Sequence, residues 1–411
     1  MITVKSALER VLESVSPLGI ERLDILSAQG KILGEDICSQ RSIPPKDNSA
    51  MDGYALRAED TRGASRENPV VLRVIEDIPA GYLARKSVGR GEASRIMTGA
   101  FLPEGSDSIL RVEDTEKDGD RVKIFVEVSK GQDVRFCGED VKEGEKVLTK
   151  GTLIRPAEIG MLASLGRSIV SVRQSPLVAV LSTGDELVDI DGDVSQGKIV
   201  SSNSYSLAAQ IAECGASVLQ VGIAKDTRED LREKFEACMR ADIVISSGGV
   251  SVGDYDFVKD VISSLGAIDF WRVAMRPGRP LAFGKLGSKF LFGLPGNPVS
   301  AMVSFEQFVR PAILKMAGHR NIFRGTIRAA MQQTIKKNTG LTYFLRGIIK
   351  EENGRCMVRI TGEQGSGILK SMVLANCLII LPEEISVANE GDEVLVQVLD
   401  PGFGMRPDPG F

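Results

Sequence analysis

Three short stretches of this 411-residue chain gather groups able to bind an anion and place a carboxylate beside it. "STGDEL" (Ser182 to Leu187) offers two hydroxyls, including Thr183, then Gly184 and the adjacent carboxylates Asp185 and Glu186. "SSGGVSVGDYD" (Ser246 to Asp256) offers Ser247, Gly248, Gly249, Ser251 and Gly253, followed by Asp254 and Asp256. "GLPGNPVS" (Gly293 to Ser300) places Pro295, Asn297 and Pro298 at a rigid turn entering a helix. Glycines let backbone N–H groups approach an anion, and serine hydroxyls add donors. Carboxylates next to a phosphate are natural ligands for Mg²⁺. A glycine-rich turn alone serves equally well as a plain tight turn, and a loop carboxylate as a solvated one. The case rests on three such loops together. "MRPGRPLAF" adds Arg276 and Arg279 around a Pro-Gly turn, where forked guanidinium donors suit an oxyanion and a surface turn is the plainer reading. Arg346 in "FLRG" and Ser366 in "GEQGSG", read by themselves, are structural.

Other chemistries are disfavoured. The single histidine, His319, rules out a histidine-cluster metal site and argues against Ser-His-Asp or Cys-His catalysis. The six cysteines are scattered without a C-x-x-C pair and read as free thiols. "GDVSQGKI" approaches a P-loop, but Ile199 stands where Ser or Thr must reach Mg²⁺, and no strand precedes it. No G-x-G-x-x-G follows the first buried strand, which disfavours a nicotinamide dehydrogenase.

The elements that must hold the three loops follow from periodicity. Between Pro176 and Gly318, apolar runs such as "LVAVLS", "SVLQVGIA", "DIVISS" and "FLFGLP" alternate with helical patterns, including "DFVKDVISSLG" and a long helix from "NPVS". This predicts a doubly wound α/β domain, whose ligands sit beyond the carboxyl ends of the strands, where all three loops fall. The N-terminal "VKSALERVLESV" is an amphipathic helix. "RPAEIGMLASLG" is a second, with Pro156 at its first turn and Gly166 past its end. Spacing pairs these two helices in one discontinuous domain. Short β-prone runs fill the region between them, and the tail after Asn321 returns to short strands forming a small barrel or sandwich. "NSAMDGYAL" (Asn48 to Leu56) reads as a loop carrying an isolated carboxylate, Asp52.

The net charge of −4 argues against a general nucleic-acid binder. The N-terminus lacks a signal-peptide core, and no apolar run is long enough to span a bilayer, so no membrane association and a cytoplasmic location are expected.

In order along the chain, "NSAMDGYAL", "RIMTGAFLPEG", "GEDVKEG", "STGDEL", "SSGGVSVGDYD", "RPGRP" and "GLPGNPVS" resemble the molybdopterin molybdenumtransferase family, the bacterial MoeA proteins and the gephyrin E-domain. The resemblance covers essentially the whole chain. It implies four domains: residues 1–46 with 137–173 as an elongated linker and dimerisation domain, 47–136 as a mostly β domain, 174–320 as the α/β molybdopterin-binding domain and 321–411 as a C-terminal β-barrel. It implies a homodimer with a composite site at the subunit interface, and admits the molybdopterin-adenylylating enzyme as a partner. The implied reaction inserts molybdate into adenylylated molybdopterin, with Mg²⁺-dependent cleavage of the phosphoanhydride and release of AMP.

Carried over by motif, Asp52, Thr98 and Asp140 match functional positions outside the α/β domain, and Glu186, Asp226 and Asp256 acidic positions within it. The resemblance makes Glu186 and Asp256 the metal-ligand candidates. Pro295 and Pro298 match the "PGNP" turn, and Arg279, Ser300, Arg346 and Ser366 the molybdate pocket. Two departures stand out. Arg276 and Arg279 replace the usual lysines of "KPGKP", and Phe136 and Cys137 precede "GED" where many members are basic. A scaffold of the same architecture and insertion of tungstate are the alternative readings.

Overall fold

The computed structural model describes residues 1–249, 260–261 and 264–405. They divide into two compact units. Met1–Gly34, Leu153–Arg155 and Ile169–Phe411 form the first, and Glu35–Thr152 with Pro156–Ser168 form the second.

The first unit opens with helix α1 (Val4–Ser14), capped by Thr3, whose Oγ1 accepts from the Ser6 amide at 3.1 Å. Ala7 and Val11 on its apolar stripe, and Val15 beyond its end, are buried in the core of the α/β layers. Lys315 Nζ donates to the Leu12 carbonyl at 2.6 Å, a cation on the helix's carboxyl end. The helix Pro156–Ser164 lies in the second unit, whereas the stripe on α1 finds its apolar complement against the α/β helices.

The central sheet contains β1 (Leu177–Thr183), β2 (Ser217–Ala224), β3 (Ile243–Ser247), β4 (Gly266–Arg272), β5 (Pro280–Leu286) and β6 (Lys289–Leu294). Their order is β2-β1-β3-β6-β5-β4. The first four run parallel. β5 and β4 continue antiparallel, so the sheet is mixed. The reversal comes from a two-residue hairpin at Gly287-Ser288, where Gly287 takes a φ of 56°. All five residues of β3 are buried, as a strand covered on both faces requires. Val180 and Ile245 pack towards helix α2 (Ser202–Glu213). Leu181 and Val244 pack towards α3 (Arg228–Cys238) and its Phe235. Each fully buried aliphatic side chain here contributes about 1.5–3 kcal/mol. The expected helix at residues 256–266 lies mostly outside the described residues.

After β6 come α4 (Pro298–Ser304), a π-helical turn (Phe305–Val309) and α5 (Arg310–Met316). Pro311 has no amide for the Gln307 carbonyl and its ring would press on it, so the helix widens there. The tail then closes a five-stranded barrel from β7 (Thr326–Met331), β8 (Thr342–Glu352), β9 (Arg355–Ile360), β10 (Cys377–Leu381) and β11 (Glu393–Val398), in the cyclic order β8-β9-β7-β11-β10. Closure leaves no open edge around Met331, Ile349, Val358, Ile379 and Val396 at its core. Met275–Arg276 pairs with Thr342 and Tyr343 of β8, stitching the α/β layers to the barrel.

The second unit holds a six-stranded sheet ordered Ser108–Arg111, Gly53–Leu56, Glu92–Ile96, Val70–Ile78, Arg121–Ile124 and Thr115–Asp118. "NSAMDGYAL" is therefore only partly a loop. Asn48–Ser49 pairs with Val134–Arg135, the chain turns at Ala50–Asp52, and Gly53–Leu56 becomes a buried interior strand. A Cβ on Gly53 would lie 2.0 Å from the Leu110 carbonyl oxygen, which is why glycine follows Asp52.

Candidate anion-binding site

At the carboxyl ends of β1, β3 and β6 the three loops meet. Gly248 takes a φ of +95°, and a Cβ there would stand 2.5 Å from the Thr183 carbonyl oxygen, so the β3 loop lies directly on the β1 loop. The Gly248 amide donates to the Leu294 carbonyl at 3.1 Å, which fastens the β3 loop to the end of β6. Asn203, in the first turn of α2, completes the junction. Its Nδ2 donates to Ser247 Oγ at 2.7 Å and to the Gly296 carbonyl at 2.8 Å. Sequence reading missed Asn203. The signal was there, an asparagine at the start of the helix that follows the β1 loop.

The carboxylates gather at the β1 loop. The Asp226 amide donates to Asp185 Oδ1 at 3.1 Å, and the Asp185 amide to Asp226 Oδ2 at 3.4 Å. Burial and the negative charges of Asp185 and Glu186 push the Asp226 carboxyl up, against the opposing pull of the Asp185 amide. The Glu186 carboxylate folds back over Gly184, within 2.8 Å of where a Cβ would sit. Lys198 donates to the Asp185 carbonyl, placing a cation beside this loop. The backbone donors are less available than the glycines suggest. The amides of Gly184, Asp185 and Gly248 bond to Ala224, Asp226 and Leu294. Among the described residues no group of three His, Cys, Asp or Glu is arranged to hold a metal ion. Ser251, Gly253, Asp254 and Asp256 lie outside the described residues.

A cleft of about 840 Å³ opens beside this edge, lined by Arg276, Lys336, Lys337, Tyr343, Arg346 and the Gly362–Gly365 loop, among others. Arg346 on β8 is 1% exposed, its Nε donating to Ser371 Oγ at 3.0 Å and its Nη2 to the Gly365 carbonyl at 3.1 Å. Burial, with a lesser push from the Arg276 charge, lowers its guanidinium to about 10. Arg276 and Lys337 both lie over the Tyr343 ring, at 5.5 and 4.9 Å from its centroid. Ser366 connects this cleft to the phosphate-type loops, because its carbonyl accepts from the Val299 amide at 3.1 Å, next to the buried Ser300. Pro295 is buried at the turn, and the Asn297 carbonyl accepts from the Ala301 amide. Arg279 is exposed and is not among the residues lining the cleft, whose wall takes Arg276 instead.

In the second unit Asp52 and Thr98 are joined. Asp52 Oδ1 accepts from the Thr98 amide at 2.7 Å and from its hydroxyl at 2.8 Å. These bonds, the amide's first, hold the exposed Asp52 carboxyl below the ordinary aspartate range. Asp140 is exposed, its amide donating to the Ile43 carbonyl.

A mixed α/β sheet with anion-type loops, a cleft lined by cations on the adjoining barrel and a separate β unit define a multidomain protein with a site suited to anions. Three family models match in succession: "MoeA N-terminal region (domain I and II)" over residues 2–166, "Probable molybdopterin binding domain" over 179–315 and "MoeA C-terminal region (domain IV)" over 328–399. The chain belongs to the MoeA family. It is 37% identical to a molybdopterin molybdenumtransferase of Haemophilus influenzae over 97% of this chain and 98% of the relative. A Nostoc protein of the same name is 38% identical, over 92% of this chain and 88% of its own. The crystal structure of a molybdopterin biosynthesis MoeA protein from Pyrococcus horikoshii superposes with a TM-score of 0.83 at 33% identity, covering 97% of this chain and all of that one.

Proposed function

We propose that this protein is a molybdopterin molybdenumtransferase of molybdenum cofactor biosynthesis, inserting molybdate into adenylylated molybdopterin and releasing AMP. One observation carries the reading. The "PGNP" turn is bonded on one side to the β3 loop through Asn203 and on the other to the cationic cleft through Ser366. A phosphoanhydride on the loops and an oxyanion in the cleft would thus be held by one rigid element.

The loops bind and orient the anhydride through Thr183, Ser247, Gly249 and Asn297, and the α/β edge positions it for cleavage. Arg276 and Arg346 hold molybdate and offset the charge that develops on oxygen. The raised Asp226 carboxyl is the feature a divalent cation fits, since positive charge there would relieve repulsion among Asp185, Glu186 and Asp226. Glu186, with Asp256, would hold Mg²⁺. Bound there, the ion would neutralise charge on the anhydride oxygens. The reading includes a cytoplasmic homodimer in which the Asp52–Thr98 pair of one subunit faces the phosphate loops of its partner. Transfer of substrate from the adenylylating enzyme by direct contact belongs to the same proposal.

The test is AMP release. Purified protein with adenylylated molybdopterin, molybdate and Mg²⁺ is expected to release AMP well above a no-protein control. No release under those conditions overturns the proposal. A monomer in sedimentation at assay concentration, with full activity, overturns the composite site.

A further inference from the structure

We propose that Asn203 is a positioning residue for the phosphoanhydride, setting the gap between the β3 loop and the "PGNP" turn. The inference rests on the reading of these loops as the phosphate site. A carbonyl oxygen can only accept, so the bond to Gly296 fixes which end of the Asn203 amide faces the turn. Both N–H bonds of Nδ2 are then engaged, one to each loop. The side chain is 8% exposed, and its Oδ1 is buried with no partner. A buried acceptor left unsatisfied is unfavourable, and an apolar residue would avoid it. What the asparagine provides instead is a two-pronged donor that no other described side chain supplies at this junction. Beyond the end of the β3–β6 ladder, the Gly248–Leu294 bond also ties the described residues of the two loops. A Cβ on Gly296 would lie 3.8 Å from the Gly248 Cα, so the two loops are neighbours at ordinary van der Waals distance. A change in the spacing that Asn203 sets reaches both loops at once. Aspartate at this position keeps the shape but has no donor, and sets a carboxylate against the Gly296 carbonyl.

The experiment uses the full chain and two probes, AMP with Mg²⁺ and molybdate alone, measured by calorimetry on wild type, Asn203→Asp, Asn203→Ala and Asn203→Gln. AMP binding is expected to weaken at least tenfold in Asn203→Asp and at least fivefold in Asn203→Ala, while molybdate binding stays within twofold. Asn203→Gln, which keeps both donors, should recover part of the loss. The KM for adenylylated molybdopterin should rise in the same order. If one variant does not fold, the others are read by the same criterion. Unchanged AMP affinity in folded variants, or equal losses for AMP and molybdate, overturns the positioning role alone. Failure of wild type to bind AMP overturns the phosphate-loop reading and the inference with it.

Discussion

Replacing Arg346 with methionine separates the binding role of the cleft from its structural role. The guanidinium is nearly inaccessible, and among the described residues no carboxylate pairs with it. Its fall from the ordinary guanidinium range to about 10 corresponds to about 3 kcal/mol against the charged form, and the polar groups around it reduce this to about 1–2 kcal/mol. Methionine removes that penalty. It also removes the bonds to Ser371 and Gly365, but neither partner is stranded. Ser371 Oγ still donates to the Ile368 carbonyl at 2.7 Å, and Gly365 is exposed to water. The lost bonds are worth about 1–2 kcal/mol, so stability should change by less than about 1 kcal/mol. Oxyanion binding has no such compensation. A charge-assisted pair of contacts contributes about 1.5–3 kcal/mol, so molybdate affinity should fall roughly 10- to 150-fold.

Thermal unfolding with and without molybdate reads both quantities. At a hundred times the wild-type Kd, molybdate should stabilise wild type by about 2.7 kcal/mol, and a variant weakened about fifty-fold by only about 0.6 kcal/mol. Equal stabilisation of both proteins refutes the assignment of Arg346 to the oxyanion. A ligand-free loss above about 3 kcal/mol would show that the arginine chiefly builds the barrel.

Three further outcomes follow from the geometry. Because the Asp226 carboxyl is raised on folding, it favours the folded state at low pH, and that contribution is lost as pH rises through its folded value. Asp226→Asn should therefore melt above wild type at pH 7–8, with the gap closing towards acid, while AMP release falls at least tenfold. Thr98→Val removes one of the two bonds that lower Asp52, so the Asp52 carboxyl should move up towards 3.8 in an NMR titration. The stability that pairing provides above the unfolded pKa should then be lost at a higher pH on acidification. Burial pushes Cys214, Cys238 and Cys377 up to about 12, whereas Cys38 and Cys137 are exposed. A thiol reagent at pH 8 should modify the exposed pair at once and reach the buried three only on unfolding.

The parallel part of the α/β sheet was legible because its strands are continuous apolar runs, and those of β1, β2, β3 and β6 fall within a residue or so of the observed elements. The antiparallel edge was not. Its sign is a Gly-Ser pair between β5 and β6, and in "PLAFGKLGSKF" the arginine-rich turn before it drew the chemical reading instead. β8 was missed for a related reason. Its inward Arg346 breaks the apolar alternation of "TYFLRGIIKEE", and the charge that obscures the strand belongs to a residue that lines the cleft. Helix α1 was found by its periodicity, but periodicity states only that an apolar face exists, not which core will cover it.

The site divides along the same line. Glycines and carboxylates announced the loops, since positive φ and close backbone approach leave a mark on residue type at Gly248 and Gly53. What the type cannot report is whether an amide is already bonded within the loop, as those of Gly184, Asp185 and Gly248 are. Under the proposed function, that leaves less of the anion recognition to the backbone and more to side chains such as Arg276 and Arg346. It also explains the importance of Asn203. When loops spend their own amides on holding their shape, the distance between them becomes the remaining variable, and a side chain that bonds to both is what fixes it.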